Sequence, residues 1–219
     1  KKNILNASVS GHNLESYLYL IKKYNKKFDG KFQDVVIFLC LNDIMSFQGA
    51  ITKDVKDKNY KEKKFIQKYI KNNIPLKINV FLREKSALFV LLKGLLTNPM
   101  KRQYNYISWM YDNEESLEVY KNFIYEINEY SKSNNLNTKF ILLPFAYQIK
   151  NQCNSNLLKP QLQINKIFDE LNLKLYDYSE QFCKSLKNIK LYLPYDTVHL
   201  SIHGHEYVSS LLKEDKIIN

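Results

Sequence analysis

The chain has 219 residues, of which 45% are hydrophobic, and its 33 Lys and Arg against 22 Asp and Glu give a formal net charge of +11. Five Gly and five Pro are too few for a collagen-like, disordered or low-complexity chain. The longest apolar runs, residues 34–41 and 86–92, are far shorter than the roughly 20 residues that span a bilayer. The sequence therefore predicts a globular domain that does not span a membrane.

The positive charge does not by itself indicate a nucleic-acid partner. Arg83 and Arg102 are the only arginines beside 31 lysines, whereas phosphate and base-edge recognition favours the forked guanidinium. The densest basic run, residues 53–71, alternates with acidic residues, which is typical of a solvated face. We therefore expect no nucleic-acid partner, although attraction to an anionic surface or polymer stays open.

The first part of the chain predicts a strand, a helix and a second strand. Asn3–Asn6 is typical of a short strand, and a turn-rich stretch follows it. A helix is predicted to begin near Leu14 with Asn13 as its cap, because apolar residues then recur at helical spacing. The apolar run Asp34–Leu41 predicts the second strand.

Residues 46–110 predict a helical insertion. The segment is rich in lysine, has helical periodicity without a strand signal, and contains an apolar helix over Ala87–Leu96 that Asn98-Pro99 would close. We expect this insertion to form a cap near the functional site and not a separate domain.

The remaining sequence alternates helices and strands. Helices are predicted over Glu114–Lys132, Leu157–Leu171 and Gly204–Lys213, and strands over Thr138–Leu143 and Lys174–Tyr176. Such alternation predicts a parallel sheet covered by helices on both faces. The fold prediction is a three-layer α/β, flavodoxin-like domain spanning residues 1–219.

The sequence alone does not decide whether any of the three cysteines form a disulfide. Cys40 lies in an apolar run and is predicted to be a small core residue, while Cys153 and Cys183 either pair or stay free. No cysteine spacing is typical of a metal site, and we expect no cofactor.

Several chemically capable residues fall where strands end, which is where open parallel sheets bind their ligands. Gly11 has an exposed backbone amide in a turn, Asn42 follows the second strand, and Asp196 and His199 share one loop. An N–H group and a carboxamide together can stabilise an oxyanion, while a carboxylate can fix the tautomer of a proton-carrying His. These residue types favour acyl transfer.

The same segments resemble the SGNH, or GDSL-type, hydrolases. Asn6-Ala-Ser-Val-Ser-Gly11 resembles the second block of that family, the strand ending in Asn42-Asp43 resembles the third, and Asp196-Thr-Val-His-Leu-Ser201 followed by Gly204-His205 resembles the last. The resemblance implies a serine-type esterase that acts on small acyl esters or acetylated glycans. Its oxyanion hole would be Gly11 and Asn42, its catalytic pair would be Asp196 and His199, and its location would be the envelope or outside the cell.

The family's first block, Gly-Asp-Ser, has no counterpart in these residues. The resemblance implies that the nucleophilic Ser lies upstream, with Ser8 or Ser10 as possible substitutes. It also implies that a central strand is missing between Asn3–Asn6 and Asp34–Leu41, so that a segment of the same gene product or a bound peptide must complete the sheet. Unpaired central strand edges are costly because buried backbone groups need partners.

Other interpretations remain open. The enzyme alternative is an O-acetyltransferase of a surface polysaccharide, and the alternative from another class is a non-catalytic carbohydrate-binding module that has lost its Ser block. Asp196, His199, His203 and His205 would form a metal site if they converged, although we expect His203-Gly204-His205 to start a helix on which successive side chains diverge.

Overall fold

A computed structural model describes residues 4–8, 11–45, 76–96, 98–185, 190–194 and 196–218. In these residues three parallel strands form one sheet in the order β1 (Asp34–Cys40), β2 (Asn137–Leu143) and β3 (Leu175–Asp177). Cys40 lies opposite Leu143 in the register of the first pair. The carboxyl ends of the strands therefore lie at one edge of the sheet, and the predicted α/β architecture with a parallel sheet is confirmed.

Helices make up most of the rest of the described chain. They are α1 (Leu14–Lys27), α2 (Leu76–Lys85), α3 (Ala87–Leu96), α4 (Pro99–Met110), α5 (Glu114–Ser133), α6 (Ala146–Lys150), α7 (Lys159–Glu170), α8 (Ser179–Lys184) and α9 (Ile202–Glu214). Single turns of 3-10 helix span Leu41–Ile44 and Ser155–Leu157. No helix in the described ranges has the length and apolar character needed to cross a membrane.

Local sequence signals explain where several helices begin. The Asn13 carboxamide oxygen accepts a hydrogen bond from the Ser16 N–H at 3.2 Å, which is the predicted cap of α1. Leu14, Leu18 and Ile21 are buried on one face of that helix, as their spacing predicts. The prediction for α1 is confirmed.

The core forms where apolar helix faces meet the sheet. Leu39 in β1 and Ile141 in β2 are completely buried, as are Ile124 and Ile127 on the apolar stripe of α5. Burial of a side chain of this size stabilises the fold by roughly 1.5–3 kcal/mol. The packed sheet therefore gives the loops at its carboxyl edge a rigid support.

Helix α4 begins at the two residues that the sequence predicts to end the preceding helix. Asn98-Pro99 begins this helix instead of closing the preceding one, because Pro occupies its first turn and the Asn98 side chain accepts a hydrogen bond from Lys101 N–H at 3.0 Å. Tyr104 and Ile107 of α4 are buried in the main core. Among the described residues of the predicted insertion, those of α2 and α3 therefore stand apart from that core.

The strand predicted over Asn3–Asn6 is wrong for its described part. Residues 4–8 have no regular secondary structure, and Ile4 and Leu5 are 87% and 53% exposed. A strand needs a neighbour that accepts and donates its backbone hydrogen bonds, and none lies beside residues 4–8 in the described chain. The apolar pair is therefore left in solvent.

Strand β1 lies at an open edge of the described sheet. Asn137 N–H donates to Gln33 C=O at 2.7 Å, and alternate residues of a parallel strand face the same neighbour. Ile37 and Leu39 therefore direct their backbone groups toward β2, whereas Val36 and Phe38 direct theirs away from it. In the described chain, the backbone groups of these last two residues have no partner.

A disulfide joins Cys153, in the turn after α6, to Cys183 in α8, with 5.9 Å between their Cα atoms. Cys40 remains a free thiol at the end of β1. The alternative that Cys153 and Cys183 pair is thus the one found. Closing a chain segment of 30 residues restricts the unfolded chain and stabilises the fold.

Gly204 provides the first test of the packing beside the predicted site. A Cβ on Gly204 in α9 would lie 2.1 Å from the Leu191 carbonyl oxygen. We expect Gly204→Ala to lower the free energy of unfolding by about 1–3 kcal/mol, although an added Ala normally favours a helix. Urea denaturation measures this, with Ser210→Ala on the exposed face of α9 as the control. A Gly204→Ala protein as stable as the control would contradict the close packing.

Candidate active site

Asp196 and His199 form a hydrogen-bonded pair on the loop before α9. The His199 Nδ1 atom lies 2.8 Å from Asp196 Oδ2. The other carboxylate oxygen accepts hydrogen bonds from the backbone N–H groups of Val198 and His199, at 2.8 and 2.9 Å. The carboxylate therefore holds both the loop backbone and the imidazole ring. It contacts the ring at Nδ1, which leaves the other ring nitrogen, Nε2, for another partner.

The environment keeps Asp196 ionised. Partial burial acts to raise the pKa of its carboxyl group, but the two backbone N–H donors and the His199 ring outweigh burial and lower that pKa. An ionised carboxylate orients a neutral imidazole and stabilises the imidazolium that forms when the ring accepts a proton. The pair has the properties of a proton carrier with its orienting group.

Backbone and side-chain contacts hold this loop against the end of β2. Ala146 N–H donates to the Thr197 carbonyl at 2.9 Å, and the Tyr192 hydroxyl donates to the Pro144 carbonyl. Leu193 N–H donates to the His199 carbonyl at 3.0 Å. Because β2 lies beside β1, these contacts place the Asp196–His199 pair at the carboxyl edge where Asn42 is also found.

Asn42 lies in the 3-10 turn Leu41–Ile44, directly after β1. Its Oδ1 atom is buried and has no hydrogen-bond partner in the described chain. A buried polar atom without a partner costs free energy. Among the described residues, no hydrogen bond to this oxygen stabilises the turn.

Asp43, the next residue, stabilises the turn that carries Asn42. One carboxylate oxygen accepts a hydrogen bond from Cys40 N–H at 2.8 Å, and the other accepts from the Tyr17 hydroxyl of α1 at 3.1 Å. The Tyr111 hydroxyl, after α4, donates to the Leu41 carbonyl at 2.8 Å. Two neighbouring helical segments thus fix the backbone on both sides of Asn42.

Gly11 lies in a turn that is connected to the Asn42 segment through Asn13. Its φ of +81° is a backbone conformation that favours Gly, and a Cβ there would meet only open space. The Asn13 Nδ2 group donates to the Met45 carbonyl at 2.9 Å, just after the 3-10 turn. The same side chain therefore caps α1 and joins the Gly11 segment to the end of the Asn42 turn.

The possible substitute nucleophiles are not paired with the histidine. Ser8 is exposed, its backbone N–H donates to Asn6 Oδ1 at 3.0 Å, and its hydroxyl makes no hydrogen bond to His199. The prediction for Ser10 lies outside the described residues. Cys40, the free thiol at this edge, has its pKa raised by burial and by the charge of Asp43, which keeps it a neutral thiol.

The described chain has no group of three or more His, Cys, Asp and Glu side chains that could hold a metal ion. Instead, the His203 Nδ1 atom lies 3.4 Å from the Oε2 atom of Glu206, one turn along α9. The four residues considered as ligands in the sequence are thus not gathered around one point.

Sequence reasoning missed the supporting residues Asn13, Tyr17 and Tyr111 as parts of the site. Asn13 was identifiable only as a helix cap, and the two tyrosines are 26 and 70 residues from the atoms that they contact. His12 is half-buried, and its Nδ1 atom has no hydrogen-bond partner in the described chain. Such contacts depend on tertiary structure and leave no local signal.

Comparison with known proteins adds no relative: no protein-family model, curated protein or solved structure matches this chain.

The buried carboxyl group of Asp43 predicts a pH dependence of stability. Burial raises its pKa from 3.8 to about 7, against the opposing hydrogen bonds from Cys40 and Tyr17. Between about pH 4 and pH 7 the folded chain retains a proton that the unfolded chain has lost, so this group lowers the free energy of unfolding as pH rises. Above about pH 7 the raised pKa of Asp43 therefore lowers the free energy of unfolding by roughly 4 kcal/mol.

Urea denaturation of the parent and of Asp43→Asn at pH 5 and pH 8 measures this effect. The Asn side chain can still accept from Cys40 N–H but does not ionise, so the parent should lose more stability between the two pH values than the variant. Equal losses would contradict the assignment of this titration to Asp43.

Proposed function

We propose that the chain forms most of a serine-type ester hydrolase of the SGNH kind, with an acyl or acetyl ester as its substrate. The observation that carries the proposal is the Asp196–His199 pair, whose imidazole is fixed at Nδ1 over 2.8 Å. Asn42 lies at the same edge of the sheet, in the turn directly after β1. Proton transfer and oxyanion stabilisation are thereby available at one edge.

In the proposed reaction, His199 Nε2 removes the proton from a Ser hydroxyl as the Ser oxygen bonds to the ester carbonyl carbon. Asp196 holds the imidazolium through Nδ1–H. The proton then passes to the leaving alkoxide as the ester C–O bond breaks, leaving an acyl-serine that water hydrolyses by the same steps. His199 is 62% exposed at its side chain, which leaves Nε2 accessible to such partners.

Gly11 N–H and the Asn42 carboxamide N–H are proposed to donate to the tetrahedral oxyanion. Their positions are supported by the left-handed turn at Gly11, by the Asn13–Met45 hydrogen bond and by the Asp43 contacts on the 3-10 turn. Donors held in advance need no reorganisation during the reaction. Loss of one such donor costs about 10²–10³ in turnover.

The nucleophilic Ser is proposed to come from a segment outside these 219 residues that pairs with the open edge of β1. Val36 and Phe38 offer their backbone groups on that side, and residues 4–8 are not paired there. A strand inserted next to β1 would end at the same edge as Asn42 if it ran parallel. The finer fold proposal is accordingly a flavodoxin-like sheet completed by that strand, with α2 and α3 of the predicted insertion contributing a cap.

The exposed position of His199 favours a bulky ester, such as an acetylated glycan, over a small molecule held in a deep pocket. The Cys153–Cys183 disulfide supports an oxidising location, in the envelope or outside the cell. An O-acetyltransferase would use the same residues with a sugar hydroxyl in place of water. Adding a glycan acceptor to the ester assay distinguishes transfer from hydrolysis.

The test uses the complete protein, with its Ser-bearing segment, and a short p-nitrophenyl ester. Asn42→Ala should lower kcat by about 10²–10³, and His199→Ala should lower it at least as much because the Ser loses its general base. Both variants should keep the parent's thermal transition, since His199 is exposed and the buried Oδ1 atom of Asn42 has no hydrogen-bond partner to lose in the described chain.

The matched control is His203→Ala, because His203 is another exposed histidine paired with a carboxylate three residues along the chain. Its rate should equal that of the parent. Near-normal rates in Asn42→Ala and His199→Ala, or an equal loss in His203→Ala, would refute the assignment.

A further inference from the structure

The solvent-facing side of α1 carries a row of one tyrosine and four lysines, here called the lysine face. Its members, all exposed, are Tyr19, Lys22, Lys23, Lys26 and Lys27. Positions three, four, seven and eight residues after the first member lie on the same side of a helix. The residues buried on the opposite side of α1 are Leu14, Leu18, Ile21 and Asn25. The structure therefore shows the lysine face as one continuous surface.

The charge of the lysine face is not neutralised by the described residues around it. In the described chain, none of the four lysines lies within ion-pair distance of a carboxylate. Residues 14–31 hold five Lys against two acidic residues, one before the row and one after the end of α1, which gives a net charge of +3. The neighbouring turns of α5 add Glu126 and a Glu129–Lys132 ion pair, so the region stays positive.

Aromatic rings contact the ammonium groups of this face without removing their charge. The Lys23 Nζ atom lies 5.8 Å from the ring centre of Tyr19 and 5.9 Å from that of Tyr24. The Lys22 Nζ atom lies 5.6 Å from the ring centre of Tyr130 on α5. The face of an aromatic ring attracts a cation, although the ring has no net charge. These contacts hold cations on the surface and leave them available to an anionic partner.

The stability of α1 does not account for all four lysines. Lys26 and Lys27 lie in the last turn, where cations interact favourably with the helix dipole. Lys22 and Lys23 precede that turn, and the effect of the dipole falls off beyond it. Lysines 22 and 26, like lysines 23 and 27, are like charges four residues apart, and such pairs oppose helix formation. An anionic partner would offset this repulsion.

We propose that the lysine face binds an acidic polysaccharide, a polymer that carries carboxylates at regular intervals. Lysines four residues apart are separated by about 6 Å along a helix axis, and the four lysines together extend over about 8 Å. A polymer with repeated anions contacts several of these cations at once, whereas a single small anion does not. Displacement of counterions from the polymer drives such binding. The proposal concerns binding alone and does not depend on the ester chemistry.

Other occupants fit the lysine face less well. A second copy would bring two cationic faces together, and like charges oppose association. The row has no aliphatic or large apolar side chain to enter a lipid boundary, which interfacial helices need. A single-stranded nucleic acid stacks successive bases on a series of aromatic side chains, whereas Tyr19 is the one ring in the row. The Cys153–Cys183 disulfide also favours a location outside the reducing cytosol, where nucleic acid is not the usual polyanion.

Isothermal titration calorimetry of the complete protein with carboxymethyl dextran tests the proposal. Uncharged dextran is the matched polymer, because it has the same sugar backbone without the carboxylates. We expect binding to carboxymethyl dextran in about 0.1 M salt and none to dextran. Binding should be at least about 10-fold weaker in about 1 M salt, where the Debye length falls from about 10 Å to about 3 Å.

Replacement of all four lysines of the face by Gln should weaken binding to carboxymethyl dextran at least about 10-fold, because four cation–anion contacts are lost. The matched control removes the same charge from four exposed lysines on other segments: Lys101→Gln, Lys166→Gln, Lys190→Gln and Lys213→Gln. This control should bind within about 3-fold of the parent, since only the overall attraction falls. Arg at the four positions of the face should retain binding, and circular dichroism should show equal helix content in all four proteins.

Any of four results would overturn the proposal. The first is absence of binding to carboxymethyl dextran, and the second is equally tight binding to uncharged dextran. The third is an equal loss of binding in the lysine-face variant and in its matched control. The fourth is tighter binding of a single-stranded oligodeoxythymidine at the same concentration of anionic groups, lost only in the lysine-face variant, which would assign the face to nucleic acid.

Discussion

The parallel pairing of β1 with β2 is the constraint on which the candidate site depends. Its register sets Cys40 opposite Leu143, so the turn carrying Asn42 and the segment Pro144-Phe145 leave the sheet together. The same pairing uses only one side of β1, which leaves the backbone N–H and C=O groups of Val36 and Phe38 facing an open edge. A strand buried in a parallel α/β sheet normally has neighbours on both sides. The site and the open edge are thus two consequences of one strand's position.

Side-chain hydrogen bonds then convert strand ends into defined positions. Asp43 links the Asn42 turn to α1 through Tyr17, and Asn13 links it to the Gly11 turn. The Tyr192 hydroxyl and the Thr197 carbonyl hold the Asp196–His199 loop at the end of β2. Asp43 ties this arrangement to pH, because burial holds its pKa at about 7. Rigid supports of this kind are what catalytic groups need to stay in place.

The periodic elements could be predicted from sequence because burial enforces their periodicity. The cap at Asn13 and the apolar faces of α1 and α5 followed from local spacing. Asn98-Pro99 was assigned to the wrong helix, since Pro suits a helix start as well as the chain after a helix end. The strand predicted over Asn3–Asn6 is wrong because strand formation depends on tertiary structure. Its composition suits a strand, but the described chain offers it no neighbouring strand. Likewise the Tyr17–Asp43 and Tyr111–Leu41 contacts span 26 and 70 residues and have no local signature.

The most direct test of this account is amide hydrogen exchange along β1 in the complete protein, resolved by residue. Ile37 and Leu39 face β2 and should exchange slowly in any folded form, so they serve as internal references. If a Ser-bearing strand completes the sheet, Val36 and Phe38 should be protected to a similar degree, because their N–H groups would then be paired in the interior. Rapid exchange at Val36 and Phe38 beside slow exchange at Ile37 and Leu39 would show that the edge stays open and would contradict the account.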